Sequence, residues 1–324
     1  MKRRTFIALL GGAAAALAHP SAALAQQRGA KVPRVGIIDD GPLWDYFRAG
    51  MRDAGFIDGR TVAYEYRAAD GKPERLAAAA AGLAALPVDL IATYGTPPSR
   101  AAKAATSTIP IVVIAIGDPV RAGLVQSLAH PGGNVTGNTI LSPDLAPKRL
   151  QLIKEIIPTA KRIALLWNPD NVSNAVILEQ LRAAALAQGF SLTAVEARSA
   201  GDFESAFATL ARERPDAVLL TSDPVHNSQI QRTVGFLIQN RLPGMFQTRD
   251  DAAAGGLVSY GANFRDMFWQ GAFFAQKILR GTKPADLPVQ TPQRFELVIN
   301  LKTAKAIGLT VSESVLLRAD AVIE

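Results

Sequence analysis

The stretch PVDLIAT at residues 87–93 returns later in the chain as PDAVLLT at residues 215–221. Each is a short apolar run that begins at a proline and ends at a threonine, and such runs are typical of buried strands. The two copies are not isolated, because RVGIID at residues 34–39 has a counterpart at the same spacing in RIALLW at residues 162–167. The chain therefore contains one structural unit twice.

Helical segments separate these predicted strands. An Ala-rich helix is predicted at residues 74–86 in the first copy, and its counterpart is predicted at residues 203–213 in the second. Strands that alternate with helical segments of about 10–15 residues are typical of parallel sheets with helices on both faces. We therefore predict an α/β fold with two lobes. Lobe 1 is expected to comprise residues 31–140 plus about 255–284, and lobe 2 residues 141–254 plus about 285–324.

The first 25 residues carry the successive features of an export signal. KRR at residues 2–4 precedes an apolar run at residues 6–18, and ALA at residues 23–25 is a small-x-small cleavage sequence. RRTFI at residues 3–7 also resembles a twin-arginine signal, so the choice between Sec and Tat export stays open. We predict a signal peptide at residues 1–25 and a periplasmic protein.

The composition excludes several classes of site and partner. The chain has no cysteine, so we expect neither a disulfide, a zinc–thiolate site nor a lipid anchor on a lipobox cysteine. Its net charge is +7, but three of those charges belong to the predicted signal and the other basic residues are scattered. That distribution does not favour nucleic acid as a partner.

The loops after the predicted strands are the candidates for a binding site. In open α/β sheets, ligands bind outside the carboxyl ends of the strands, so two facing lobes predict a hinged clamp that closes on a ligand. TPPS at residues 96–99 opens a helix there, and free N–H groups with hydroxyls beside them suit a carboxylate. A plain turn capped by Thr96 is the alternative. The candidate ligand-binding residues are Thr96, Pro97, Ser99, Asp118, Asn168, Asn171, Asp223, Tyr260 and Trp44.

Each polar candidate has a second interpretation. Asp118 and Asp223 precede prolines at predicted strand ends, where a carboxylate suits a ligand's ammonium or hydroxyl groups or caps the next helix. The same choice applies to the amides of Asn168 and Asn171. The aromatic candidates offer a ligand a stacking surface or contribute to the core.

No catalytic constellation is recognisable in the sequence. The histidines are His19, His130 and His226, and their spacing matches neither a metal site nor a base beside a nucleophile. No G-x-S-x-G, Walker or G-x-G-x-x-G motif follows a predicted strand. We therefore predict a binding protein rather than an enzyme, with no cofactor and no metal.

Several longer stretches match a known family pattern. They include GDPV at residues 117–120, GLVQSLAHPGGNVTG at 123–137, KILRGTKPADLPV at 277–289 and FELVINLKTAKAIGL at 295–309. From residue 32 to residue 324 the chain resembles the ABC-transporter substrate-binding protein family, which includes tryptophan- and tyrosine-binding members. The resemblance implies the type I periplasmic binding protein fold, with two Rossmann-like lobes joined by three crossings.

The resemblance also implies how a ligand is held. In amino-acid-binding relatives a hydroxyl-rich helix start, here at Thr96, takes the α-carboxylate, and an acid of the second lobe, by position Asp223, takes the ammonium. The chain departs from the family pattern at VS, residues 172–173, where members often have a second Asn-Pro. This departure affects which ligand is bound.

The implied function is capture for transport. A monomer would bind a small carboxylate ligand, such as an aromatic or other amino acid, and present it to an ABC permease and its ATPase at the inner membrane. Delivery of the ligand to a sensory receptor is one alternative. An aromatic carboxylate in place of an amino acid is another.

Overall fold

The structure is a computed structural model that describes residues 31–70, 72–141 and 145–324. The predicted signal peptide at residues 1–25 lies outside these described residues. No helix in the described part of the chain is long and apolar enough to cross a membrane. The fold is α/β with two sheets of mostly parallel strands, which confirms the predicted fold class.

The first copy of the repeat forms a five-stranded sheet. Its strands are β1 (Arg34–Ile38), β2 (Ala63–Arg67), β3 (Leu90–Tyr94), β4 (Ile111–Ile116) and β5 (Val135–Thr139). They are parallel and lie in the order β2-β1-β3-β4-β5. The intervening helices are α1 (Trp44–Asp53), α2 (Pro73–Ala84) and α3 (Thr96–Ala105). Alternate residues of β4 pack into different apolar clusters, so both faces of this sheet are buried.

The second copy forms a seven-stranded sheet in a second lobe. Its strands are β6 (Arg162–Trp167), β7 (Ser191–Glu196), β8 (Ala217–Leu220), β9 (Gly244–Phe246), β10 (Val258–Ala262), β11 (Phe295–Asn300) and β12 (Ala321–Ile323). Their order is β12-β11-β10-β9-β8-β6-β7. The helices of this lobe are α4 (Leu145–Ile156), α5 (Val172–Gln188), α6 (Phe203–Glu213), α7 (Pro224–Ser228), α8 (Ile230–Gln239), α9 (Arg249–Ala253), α11 (Leu301–Ile307) and α12 (Glu313–Leu316).

One further helix, α10 (Phe264–Leu279), returns to the first lobe. The ring of Phe268 on this helix packs edge-on against Trp44 with centroids 5.1 Å apart. Both rings belong to an apolar cluster that also contains strand residues of the five-stranded sheet. The carboxyl-terminal part of the chain therefore completes the core of both lobes.

Strands β11 and β12 run antiparallel to the other strands of the second sheet, since β11 pairs antiparallel with β10 and β12 pairs parallel with β11. Strand β11 pairs with β10 so that Phe295 lies opposite Ala262. The chain leaves the second lobe at Ala262, the last residue of β10, to form α10. It re-enters the lobe at Phe295, the first residue of β11, which lies beside Ala262. A strand that starts where its neighbour ends must run in the opposite direction, which explains the departure from the expected parallel pairing.

The chain passes between the lobes three times, between β5 and α4, between β10 and α10, and between α10 and β11. The sequence placed the boundary of lobe 1 at about residue 255, before β10. In the structure β10 pairs with β9 and β11, so residues 258–262 belong to the sheet of lobe 2. Apolar periodicity does not show this boundary, because a strand looks the same whichever sheet it joins.

Candidate functional site

The carboxyl ends of the strands in the two sheets face one another, and the lobes touch there. The hydroxyl of Thr96, in lobe 1, lies 2.8 Å from the hydroxyl of Ser173, in lobe 2. The backbone N–H of Asp118 donates to the same Ser173 oxygen at 3.3 Å. A third contact joins the lobes where the amide of Asn227 donates to the phenolic oxygen of Tyr94 at 2.9 Å.

These contacts enclose a small cavity between the lobes. Its volume is about 20 Å³, which suffices for a water molecule but not for an amino acid. A solute of that size therefore needs the lobes to separate before it enters. The cavity is lined by Tyr94, Gly95, Thr96, Ala115, Gly117, Ile140, Asn171, Ser173, Asn174, Ile177, Ser222, Asp223 and Pro224.

Asp223 is a buried acid in this wall, with 2 % of its surface exposed. Its carboxylate accepts amide hydrogen bonds from Asn168 at 3.2 Å and Asn171 at 2.8 Å, and from the backbone N–H of Val225 at 2.9 Å. It makes no ion pair within the described ranges. These three donors are all neutral, so a cation that reached the carboxylate would be strongly bound.

The two asparagines serve Asp223 and the local backbone together. Asn171 caps α5, since its side-chain oxygen accepts from the N–H of Ser173 at 3.1 Å. Asn168 accepts from the N–H of Asp170 at 3.0 Å, which closes the turn after β6. The capping and ligand-site interpretations of these residues are therefore compatible, because each amide offers its oxygen to the backbone and its nitrogen to Asp223.

Of the three candidate residues at the predicted helix start, one lines the cavity and two do not. Thr96 lines the cavity, and its hydroxyl also accepts from the N–H of Gly117 at 3.2 Å. Ser99 is fully buried, and its hydroxyl is occupied by the carbonyl of Gly95 at 2.7 Å and by Thr93 at 2.8 Å. Pro97 is half-buried in the first turn of α3 and lines neither interlobe cavity. Their roles in binding stay predictions.

Asp118 lies on the lobe 1 side of the cleft. Its carboxylate accepts from the backbone N–H groups of Val120 and Arg121, both at 3.0 Å. It lines a second interlobe cavity of about 30 Å³ rather than the one that contains Asp223. The structure thus separates the two acids that the sequence placed together at strand ends.

The aromatic candidates lie away from the closed cavities. Trp44 is 2 % exposed, donates its indole N–H to the carbonyl of Asp39 at 2.8 Å, and packs in the core of lobe 1. Tyr260 packs its ring against Phe295, with centroids 6.2 Å apart, and lines an outer groove. Trp44 also borders an open pocket at the mouth of the cleft.

The sequence analysis missed several residues of the site. Ser173, Asn174 and Ile177 project from the first turns of α5 into the cavity, and the side-chain nitrogen of Asn174 is buried without a hydrogen-bond partner among the described residues. The position of Asn171 at a helix start was a signal for them, because Ser173 and Asn174 stand four and three positions before Ile177 and therefore share a helix face with it. Arg149 was also missed, since α4 carries no binding motif.

A buried histidine next to the site predicts a pH dependence of stability. The Nε2 atom of His226 lies 2.9 Å from the carbonyl oxygen of Ala197, and burial lowers its pKa below the usual 6.5, while Asp223 opposes that shift. Folded His226 takes up its proton at lower pH than the unfolded chain does. The stabilisation is therefore complete above about pH 6.5 and is lost as the pH falls further, by about 1.4 kcal/mol per pH unit.

Urea unfolding between pH 5 and 8 measures this effect. His226→Gln is expected to lack that component of the slope, whereas His130→Gln, at an exposed position, should keep the profile of the parent protein. Identical pH profiles for the parent and His226→Gln would contradict the prediction.

The chain was compared with protein families and with proteins of known structure. A family model described as ABC transporter substrate binding protein matches residues 43–323. A tyrosine-binding protein from Clostridioides difficile is 28 % identical over 264 residues, which cover 81 % of this chain and 75 % of that protein.

Two solved structures share the fold, and their sequence identity to this chain is similar to that of the tyrosine-binding protein. An ABC domain from Streptococcus pneumoniae in complex with L-Trp is 27 % identical, with a TM-score of 0.83 over 90 % of this chain and 100 % of that one. A ligand-free, open structure of a substrate-binding protein with adhesive properties from Clostridium difficile is 26 % identical, with a TM-score of 0.64 over 90 % and 99 % of the two chains.

Proposed function

This chain belongs to the ABC transporter substrate-binding protein family, and we propose that it is the periplasmic solute-binding component of an ABC uptake transporter. It captures a small carboxylate ligand, an aromatic or other amino acid, by hinged closure of its two lobes. It acts as a monomer and presents the closed form to a permease and an ATPase at the inner membrane. Its ligand must favour the closed over the open state for this signal to operate.

The observation that carries the proposal is the buried, uncompensated carboxylate of Asp223 in the wall between the lobes. The ammonium group of an amino acid would supply the missing charge. Asn168 and Asn171 orient the carboxylate from lobe 2, and Thr96 approaches from lobe 1. An acid held in this way binds its partner only when the lobes close around it.

The comparisons support the same proposal. Of the three named relatives, one is a tyrosine-binding protein and one is in complex with L-Trp. The chain also superimposes better on the L-Trp complex, with a TM-score of 0.83, than on the ligand-free, open structure, with 0.64, although the two are almost equally identical in sequence. Contacts such as that between Thr96 and Ser173 are what a closed clamp requires.

Thermal unfolding of the purified protein against the common L-amino acids and aromatic acids tests this function. A ligand at 100 times its dissociation constant adds about 2.7 kcal/mol to the free energy of unfolding. We expect tryptophan, tyrosine or phenylalanine to raise the melting temperature. Asp223→Asn keeps the helix cap but removes the charge, and we expect it to weaken binding about 10- to 100-fold, as a charged hydrogen bond is lost.

Asp286→Asn is the matched control, because Asp286 is exposed and the substitution changes the net charge equally. It should bind like the parent protein. A response only to acids without an amino group would keep the clamp but refute the role of Asp223. Equal binding by the parent and Asp223→Asn would refute it as well.

A further inference from the structure

The second interlobe cavity adjoins the one that contains Asp223. The two cavities share Gly117, Ile140, Ser173 and Ile177 in their walls, so they lie on either side of one contact between the lobes. The wall of the second cavity is largely apolar, with Leu145, Val176 and Phe264 among its residues. Arg149 is a cation in this wall, and the carboxylate of Asp118, which accepts from the backbone N–H groups of Val120 and Arg121, lies in it too.

Arg149 extends from α4 and is 5 % exposed. Its Nε atom donates to the carbonyl oxygen of Tyr260 at 2.8 Å. Its two terminal nitrogens make no hydrogen bond or ion pair with any residue that the structure describes. A β-carbon at Gly261 would lie 3.2 Å from Nη2, so the glycine there leaves room for the guanidinium.

The charge of Arg149 is not neutralised within the described part of the protein. Burial lowers its pKa to about 10, which leaves it protonated at neutral pH. Asp251 is a carboxylate that acts on it from a distance, but the oxygen atoms of Asp251 serve the cap of α9, where the N–H of Thr248 donates at 3.0 Å. A buried cation without an anion is strongly destabilising.

Building on the proposed function, we propose that the guanidinium of Arg149 is the principal binding group for the carboxylate of the ligand. A guanidinium presents two parallel N–H donors that match a carboxylate, and the two terminal nitrogens of Arg149 have no hydrogen-bond partner among the described residues. The hydroxyl of Thr96, by contrast, is already engaged by Ser173 and Gly117 when the lobes are closed. Arg149 and Asp223 then receive the two opposite charges of one zwitterion from the walls of two adjoining cavities.

A structural role for Arg149 is the competing explanation. Its Nε atom ties α4 to β10, next to two of the crossings between the lobes, so the side chain would brace the hinge without touching a ligand. The two roles differ in what they recognise. A brace affects all ligands alike, whereas a carboxylate receptor distinguishes a carboxylate from its uncharged amide.

The two roles can be separated by calorimetric titration of the protein. The ligands are L-tryptophan, L-tyrosine, the carboxamides of these two amino acids, benzoate and phenylacetate. We expect the parent protein to bind each carboxylate that it accepts at least about 100-fold more tightly than the matching amide, as for a broken buried ion pair. Arg149→Met should bind carboxylates at least about 100-fold more weakly and no longer distinguish them from amides. Arg149→Lys should recover part of the discrimination. Arg182→Met, which removes an exposed cation of the same lobe, should bind like the parent protein.

Melting temperatures without any ligand complete the test. Arg149→Met should be at least as stable as the parent protein, because it removes an uncompensated buried charge while keeping an apolar side chain of similar length. The inference would be overturned if Arg149→Met bound its ligands with affinities within threefold of the parent protein. It would also be overturned if the parent protein bound a carboxylate and its amide equally well. Either result would leave the proposed function standing. Binding of benzoate and phenylacetate alone, abolished in Arg149→Met, would support the inference while refuting an amino-acid ligand. A parent protein that binds none of these carboxylates would overturn both.

Discussion

Gly117→Ala is expected to weaken ligand binding about 10- to 100-fold, because it holds the lobes apart. A β-carbon at Gly117 would lie 2.2 Å from the β-carbon of Ser173 and 2.4 Å from its hydroxyl oxygen, both in the other lobe. Overpacking of this kind opposes closure by about 1–3 kcal/mol, and a 10- to 100-fold loss of affinity corresponds to about 1.4–2.7 kcal/mol, within that range. The φ angle of Gly117 lies outside the left-handed region, so alanine fits within lobe 1 itself.

The separation of the lobes gives this variant a second readout. Small-angle scattering should show a larger radius of gyration for Gly117→Ala than for the parent protein under the same conditions. Calorimetry against the amino acid that binds the parent most tightly measures the loss of affinity. Unfolding in urea should change little, because opening the lobes relieves the clash without disturbing either core.

Ser173→Gly in the Gly117→Ala background is the decisive control. It removes both of the atoms that approach the new β-carbon most closely and leaves the α-carbon of residue 173 at 3.4 Å, an ordinary contact distance. Closure and affinity should largely return, except for the hydrogen bonds of the Ser173 hydroxyl to Thr96 and Asp118. An unchanged affinity in Gly117→Ala, or no recovery in the double variant, would contradict the closure mechanism.

The largest loss of stability is expected from Gly137→Ala, at about 3–5 kcal/mol. Gly137 lies in β5 at a φ of +143°, and a β-carbon there would lie 1.9 Å from the carbonyl oxygen of Val113 in β4. Backbone conformation disfavours an L-residue at positive φ, and overpacking adds about 1–3 kcal/mol. The obstructing atom belongs to a paired strand in the core, so it cannot move aside as a flexible side chain would.

Gly235→Ala is the control for this prediction. Gly235 lies within α8, and a β-carbon there would meet nothing within 4 Å. Alanine is favoured over glycine in a helix by about 1 kcal/mol, so this variant should be slightly more stable than the parent protein. Urea unfolding of both variants measures the difference. A loss below about 1 kcal/mol for Gly137→Ala would show that β4 and β5 separate more easily than their pairing indicates.

The sequence alone determined the two-lobed α/β architecture. Apolar runs such as PVDLIAT, with helical segments between them, are typical of parallel strands covered on both faces. Their recurrence at the same spacing in residues 162–221 doubles the unit. Local pattern also placed Asn168, Asn171 and Asp223 at strand ends, because turn chemistry and helix caps depend on neighbouring residues.

Only the tertiary structure decided how these residues meet. The approach of Gly117 to Ser173, the hydrogen bonds of the Asp223 carboxylate to two amides, and the position of Arg149 in a cavity wall all depend on distant segments. The antiparallel pairing of β11 and the place of β10 in the second sheet depend likewise on where the chain crosses between the lobes. Short-range periodicity determines which face of an element is buried. It does not determine which element from the other lobe that face will contact, because this depends on the closure of the whole fold.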